Sequence, residues 1–433
     1  MISPSSQHRP EAGFSGFPLA PSVQRGVAAL GFTEPREIQA QTIPAALEGR
    51  DVLGLAQTGT GKTAAFVLPI LHRLSATRGS GPRALVLAPT RELVIQIQAE
   101  AAKLAQFTGL RVVTIFGGVS AGPQIRALRA RPDILVACPG RLLDLMRQGF
   151  AKLDHIEVLV LDEADHMFDM GFLPDVRRIL QALPAKRQNL MFSATMPAEV
   201  RALTGQLLRG SHVVELAHSK PAESIEHALC PVSADRKIEL LRYLLTEEGF
   251  TSAIVFLRTK HRARTLARRL KALGHECVAL EGDMPQSQRD GAMRGFREGR
   301  FDVLVATDIA ARGIDVANVS HVINFDVPNT PDAYTHRIGR TGRSERRGKA
   351  FTFVGDEDRR AVRDIERKLG APIRRLHVPS IGLTPEPADS QRRRQPAPPV
   401  STGVAVGPRD GRVPAQRRRW RAAGSPHARK FGA

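Results

Sequence analysis

Residues 51–74 read DVLGLAQTGTGKTAAFVLPILHRL. The apolar run DVLGLA predicts a buried strand, AAFVLPILHRL predicts a helix, and the glycine-rich stretch between them joins the two without room for a long loop. That joint, Ala56-Gln57-Thr58-Gly59-Thr60-Gly61-Lys62-Thr63, is a P-loop with alanine in place of its first glycine. Backbone N–H groups and a helix N-terminus can wrap phosphates there, with Lys62 reaching the β/γ oxygens and Thr63 holding Mg²⁺. The pattern arises by chance in roughly a few per cent of chains of this length, so it needs company.

Working outward, the same rhythm of apolar run and helical segment continues. RALVLAP (83–89), VVTIFGG (112–118), DILVACP (133–139), EVLVLDEAD (157–165) and NLMFSAT (189–195) are each apolar enough for parallel strands buried on both faces. A second set follows between 252 and 355: SAIVFLRT, ECVALEGD, DVLVATD, HVINFDVP and KAFTFVG. The economical reading is α/β, with two successive domains at 14–217 and 225–378 and a polar linker at 218–224. Many runs end in Gly, Pro, Asp, Thr or Arg, and open α/β sheets bind ligands beyond the carboxyl ends of their strands. Sequence similarity between the halves is too weak to mark a repeat.

The quartet Asp162-Glu163-Ala164-Asp165 ends one such run about a hundred residues after the P-loop. A carboxylate at a strand tip suits a magnesium ion bridging two phosphates, and its neighbour can activate or orient the attacking water. Asp162 is assigned to the metal and Glu163 to the base.

Composition points to a polyanionic partner. The 433 residues carry 63 Lys and Arg against 43 Asp and Glu, a formal charge of +20 with a pI near 11.0. Nucleic acid fits better than a membrane, because no basic amphipathic helix accompanies the charge and no apolar stretch reaches the roughly 18–20 residues a bilayer needs. The opening MISPSSQHRPEAGF lacks a basic-then-apolar leader pattern, so the expected address is cytoplasmic. Residues 1–13 are expected to be disordered. Cys138, Cys230 and Cys277 are widely spaced and read as reduced structural thiols. From 379 to 433 the apolar periodicity stops; eleven basic and three acidic residues with nine prolines make this a disordered basic tail.

With these motifs in place, residues 14–355 resemble the DEAD-box family of ATP-dependent RNA helicases. The resemblance implies two tandem RecA-like parallel-sheet domains followed by the disordered basic tail, with ATP and Mg²⁺ as cofactors. The family's adenine-recognition motif is similar to Gly31-Phe32-Thr33-Glu34-Pro35-Arg36-Glu37-Ile38-Gln39, with an upstream aromatic at Phe14. By resemblance, Gln39 reads the adenine edge, Phe14 packs on the base, and Phe32 and Arg36 belong to the same pocket. Ser193-Ala194-Thr195 looks like the motif that couples hydrolysis to strand separation, next to Asp165. Arg312-Gly313-Ile314-Asp315 resembles the motif shared by ATP and RNA, contributing Gly313 and Asp315 to the nucleotide site.

His336-Arg337-Ile338-Gly339-Arg340-Thr341-Gly342-Arg343 matches the family's arginine-finger segment. Arg340 and Arg343 are expected at the phosphates, where charge develops on the γ-phosphoryl group, and His336 is expected to link to the acidic quartet. The RNA-facing residues implied are Pro89, Thr90, Arg91, Gly117, Gly118, Pro139, Gly140 and Arg141 in the first domain. Arg258, Thr259, Gln288, Arg289, Thr307 and Asp308 are their counterparts in the second. Glycine amides, hydroxyls and helix N-termini at strand ends hold the sugar-phosphate backbone without reading bases, so binding should be largely independent of sequence.

Two residues depart from the family pattern. Cys138 stands where the family usually has Thr, and a thiol is the poorer donor to a phosphate; Glu281 stands where it commonly has His. The expected activity is RNA-stimulated ATP hydrolysis with local unwinding of short duplexes or remodelling of RNA–protein complexes. The alternatives are an ATP-gated RNA clamp and a DNA helicase. A monomeric core is expected, and ribosome assembly or RNA turnover is the family-level setting.

Overall fold

The computed structural model describes residues 13–56, 59–77, 79, 81–216, 225–246, 249–282, 284–311, 319–342 and 348–378. Expectations for residues 1–12, the 218–224 linker, the 379–433 tail, Gln57, Thr58, Gly313, Asp315 and Arg343 lie outside them. Gly13 opens a short 3-10 turn, Gly13–Gly16.

Seven parallel strands form the first sheet: β1 Val52–Leu55, β2 Ala84–Leu87, β3 Val112–Ile115, β4 Ile134–Ala137, β5 Val158–Leu161, β6 Gln188–Ser193 and β7 His212–Glu215. Their order across the sheet is β3-β4-β2-β5-β6-β1-β7. The second sheet has β8 Ile225–Pro231, β9 Ala253–Leu257, β10 Cys277–Leu280, β11 Val303–Thr307, β12 His321–Asn324, β13 Gly348–Val354 and β14 Arg374–Arg375. It runs β10-β11-β9-β12-β13-β8-β14. Counted from its own first strand, each sheet has the same order. The halves therefore repeat one architecture although their sequences show no repeat, because a buried parallel strand demands only a short apolar run.

Alternation along each strand builds the layers. In β1, Val52 enters a core cluster with Phe66 and Leu68 of the helix Lys62–Ser75, while Leu53 and Leu55 enter another with Leu142 and Ile179 on the opposite face. Helices thus cover both faces of the sheet. The second sheet is sandwiched in the same way. Truncating a fully buried strand leucine such as Leu85 to alanine would cost about 2–5 kcal/mol.

The eleven strand-like runs read from sequence correspond to β1–β6 and β9–β13. β7, β8 and β14 were not among them: β7 is a half-exposed edge strand, β8 mixes polar with apolar positions, and β14 is two exposed arginines. The topology sorts the motifs along the carboxyl edge of the first sheet. The P-loop, the acidic quartet and Ser193-Ala194-Thr195 follow the neighbouring strands β1, β5 and β6; Thr90, Gly117 and Pro139 follow β2, β3 and β4 on the other half.

Candidate active site and nucleic-acid interface

Among the described P-loop residues, Gly61 has φ +94°, and a Cβ there would fall 2.6 Å from the Gln39 amide nitrogen. Glycine is required on both counts. Lys62 begins the helix and is buried, its Nζ donating to the Ala56 carbonyl at 2.9 Å. The ammonium is thereby held within the loop, where phosphate oxygens can replace the carbonyl.

Gln39, 5% exposed, uses both of its polar atoms on the protein. Its Oε1 accepts from the Arg36 N–H at 2.8 Å, and its Nε2 donates to the Gly61 carbonyl at 3.0 Å. Arg36 in turn donates to the Gly59 carbonyl at 2.7 Å. The expected adenine reader is, in this arrangement, a brace between the helix Glu37–Leu47 and the P-loop. Phe14 is 3% exposed and packed against Phe17 and Phe32, which seats the segment. Phe32 is the half-buried ring of that pair.

At the tip of β5, Asp162 is 2% exposed and accepts the Glu163 N–H at 3.0 Å. Burial pushes its carboxyl up to about 6, against the opposing pull of Lys62. A buried carboxylate at the strand tip, with the Thr63 hydroxyl of the P-loop, is a hard-oxygen donor set that fits Mg²⁺. No cluster of three acidic, His or Cys ligands exists among the described residues. The Thr63 hydroxyl is hydrogen-bonded to Glu100, whose carboxyl burial raises; nothing in the sequence signalled Glu100.

Glu163 is one of two described non-glycine residues with positive φ (φ 52°, ψ 52°). Such a backbone is costly and recurs where a side chain must be aimed. Burial alone would raise its carboxyl, but the hydrogen bond and charge of His166, with Lys62 and Arg340, outweigh burial and hold it down at about 2. Glu163 is therefore an ionised acceptor suited to orienting a water. Asp165 joins β5 to β6: its Oδ2 accepts from the Thr195 N–H at 2.9 Å and hydroxyl at 2.8 Å, and its own N–H donates to Ser193 Oγ at 3.2 Å.

The second half reaches this cluster through the helix Pro331–Ile338. His336 Nδ1 lies 3.3 Å from His166 Nε2, and His166 Nδ1 lies 3.0 Å from Glu163 Oε2. His336 lies against the acidic segment, with His166 as its hydrogen-bonding partner and Asp165 contributing charge. Arg340 is buried and lends its charge to Glu163. Arg337, 3% exposed, is fixed elsewhere: it grips Asp308 through two bonds at 2.6 and 2.7 Å, donates to Asn324 and the Asp326 carbonyl, and lies over Phe256. Asp308, expected at RNA, spends its carboxylate on this pair.

The remaining expected RNA residues line the two edges. Thr90 and Thr259 cap their helices by accepting from Leu93 and Arg262 N–H groups. Gly117, Gly118, Gln288 and Arg258 are exposed, Pro139 and Thr307 are buried, and Gly140 is half-buried. Arg141 donates twice to the Val119 carbonyl at 3.1 Å. Arg91 and Arg289, expected on phosphates, bridge the halves instead: Arg91 pairs with Asp290 at 3.1 Å and Arg289 with Glu92 at 2.6 Å.

The defining pattern of the DEAD/DEAH box helicase family matches residues 36–203, and that of the helicase conserved C-terminal domain matches 236–345. The ATP-dependent RNA helicase CshA of Listeria monocytogenes is 43% identical over 368 residues, covering 85% of this chain and 71% of the relative. The chain belongs to the DEAD-box helicase family. The ATP-dependent RNA helicase RhlB of Pseudomonas syringae is 45% identical over 370 residues, 83% of this chain and 93% of the relative. Among solved structures, S. cerevisiae Dbp5 L327V bound to RNA and ADP BeF3 aligns at TM-score 0.76 and 34% identity, covering 85% of this chain and 95% of that one.

Both departures from the DEAD-box pattern have structural consequences. Cys138 takes the N-cap position of the helix Pro139–Arg147 and makes no capping hydrogen bond. Burial, with Glu92 beside it, pushes its thiol up to about 12. Glu281 is buried at the end of β10 and ion-paired with Arg264 of the helix Lys260–Ala272.

Proposed function

We propose that this DEAD-box chain is an ATP-dependent RNA helicase whose hydrolytic site is completed by closure of the second half onto the first. The observation that carries this reading is the convergence of Lys62 and Glu163 with Arg340 across the two sheets. Lys62 binds the β/γ-phosphates, Glu163 orients the attacking water and accepts its hydrogen bond, and Arg340 stabilises charge developing on the γ-phosphoryl group. Asp162, with Thr63, holds Mg²⁺, which when bound screens the phosphate charges. Thr195 and Ser193 tie Asp165 to β6, so displacement of the acidic quartet is transmitted to the adjacent strand.

RNA runs along the β2-β4-β3 side of the first edge and the β9-β11 side of the second, held through its backbone by glycine amides, hydroxyls and helix N-termini. ATP turnover is therefore RNA-stimulated, and strain on the bound strand separates short duplexes. We place this activity in the cytoplasm; no described helix is long and apolar enough to cross a membrane. The test is Glu163→Gln beside a chain ending at residue 216. The first should bind ATP and RNA and hold them longer without hydrolysing ATP, and the second should be nearly inert; full-length rates from the isolated first half would overturn completion by closure.

A further inference from the structure

We propose that His166 is a positioning residue that ties the Glu163 carboxylate to closure of the second half, through His336. The inference rests on Glu163 being the water-orienting acceptor and adds the device that aims it.

The geometry leaves few choices. His166 is 4% exposed on the short helix Ala164–Asp169, one turn beyond Glu163. Its ring stands edge-on to His336, centroids 5.0 Å apart at 89°. A contact between imidazole Nδ1 and a carboxylate oxygen at 3.0 Å places a proton on His166 Nδ1. The contact between His166 Nε2 and His336 Nδ1 at 3.3 Å then needs one proton between the two nitrogens. Burial, together with His166 and Arg340, holds His336 well below the usual imidazole range, so it is neutral. With His336 neutral, either ring can supply the proton between them, and in both cases His166 Nδ1 donates to Glu163 Oε2 and leaves Oε1 for water.

His336 belongs to the second half, so only closure supplies the outer link. Without it His166 loses its contact with the second half, and its ring is held less firmly against the Glu163 carboxylate. The strained backbone of Glu163 makes that second restraint consequential, since its side chain leaves the chain from an unfavourable conformation. Charged groups facing this row are Lys62, Asp162, Asp165, Asp332 and Arg340, with the Asp308–Arg337 pair lining the same cleft.

The experiment measures ATPase of the full chain at saturating RNA across pH. His166→Met keeps volume and removes both polar atoms; kcat should fall roughly tenfold or more with KM for ATP within about twofold. The loss should hold across the pH range in which the wild type is active. His166→Gln offers one donor and one acceptor at similar reach and should recover kcat to within about threefold. In a cycle with His336→Ala, the double variant should be no slower than the slower single variant. Thermal unfolding of each variant separates loss of fold from loss of alignment, and if His166→Met is unfolded the cycle is run with His166→Asn, which keeps only the bond to Glu163.

Wild-type kcat in folded His166→Met, His166→Gln as slow as His166→Met, or losses that multiply in the cycle would each overturn the inference. Glu163→Gln distinguishes the two levels. An inert Glu163→Gln beside a fully active His166→Met removes His166 alone, whereas an active Glu163→Gln removes the underlying role of Glu163.

Discussion

Glu92 and Arg289, 197 positions apart in the chain, meet at 2.6 Å between the two sheets. Beside them Arg91 meets Asp290 at 3.1 Å, so two consecutive residues from each half pair crosswise. Arg289 is further anchored by donating to the Ala310 carbonyl at 2.7 Å. The Arg289–Glu92 pair is largely buried, while Asp290 of the other pair is partly exposed; both join the two halves and so favour closure.

Reversing one charge should therefore penalise closure. Glu92→Arg sets two guanidiniums against each other and should lower RNA-stimulated ATPase about tenfold, in line with roughly 1–2 kcal/mol for a largely buried pair. Glu92→Arg combined with Arg289→Glu should regain most of that rate. Steady-state ATPase with increasing RNA checks both, and a double variant slower than either single one would exclude the pairing as a closure contact.

Asp162 should make the nucleotide-free protein less stable at neutral pH than it need be. Its carboxyl is raised from 3.8 to about 6 by burial, so the folded chain holds this proton more tightly than the unfolded chain does. The associated stability is present below about pH 4 and is lost as pH rises through 6. Asp162→Asn should thus raise the unfolding free energy at pH 7.5 by on the order of 2 kcal/mol, with the gain fading toward pH 4, while ATP turnover is abolished. Thermal unfolding at several pH values measures the difference.

Cys138→Thr should improve the protein twice over. A hydroxyl at this N-cap can accept a helix N–H that the thiol leaves unused, worth about 0.5–1 kcal/mol, and it offers RNA phosphate a stronger donor. The unfolding midpoint should rise and the Kd for single-stranded RNA should fall. The native thiol, pushed up to about 12, should resist alkylation at pH 8 until the chain is unfolded.

Deleting residues 379–433 removes eleven basic side chains and none of the ATP-site groups. RNA binding should weaken and its dependence on salt become shallower, with ATP turnover at saturating RNA little changed. Trp420, among Arg417, Arg418, Arg419 and Arg421, can stack on an unpaired base, and its fluorescence should respond to single-stranded RNA. An unaltered salt slope and a silent Trp420 would leave the tail as a solubilising extension.

The sequence announced what a short motif can carry. Gly61 and Lys62 are recognisable because a phosphate cradle needs those residues in that order, and Asp162 because an acidic quartet ends an apolar strand. It was silent where a role depends on a partner distant in the chain. Nothing about His166 or Glu100 distinguishes them from ordinary helix residues until His336 and Thr63 are brought beside them. The carboxylate partners of Arg91 and Arg289 were equally hidden, because a basic residue at a strand end looks alike whether it faces RNA or a carboxylate. Gln39 shows the same limit, since its amide is as well suited to the Arg36 and Gly61 backbone as to a base.

The shared strand order of the two sheets also means that the halves are structural twins with different trades. β8 occupies the place of β1, yet it runs into Pro231-Val232-Ser233-Ala234 and has no glycine loop after it. One twin kept the tools for gripping a nucleotide, and the other, among its described residues, brings arginine and histidine to a bench it does not own. Neither half is a smaller edition of the whole, and the face each presents to the other cannot be exchanged for a second copy of itself.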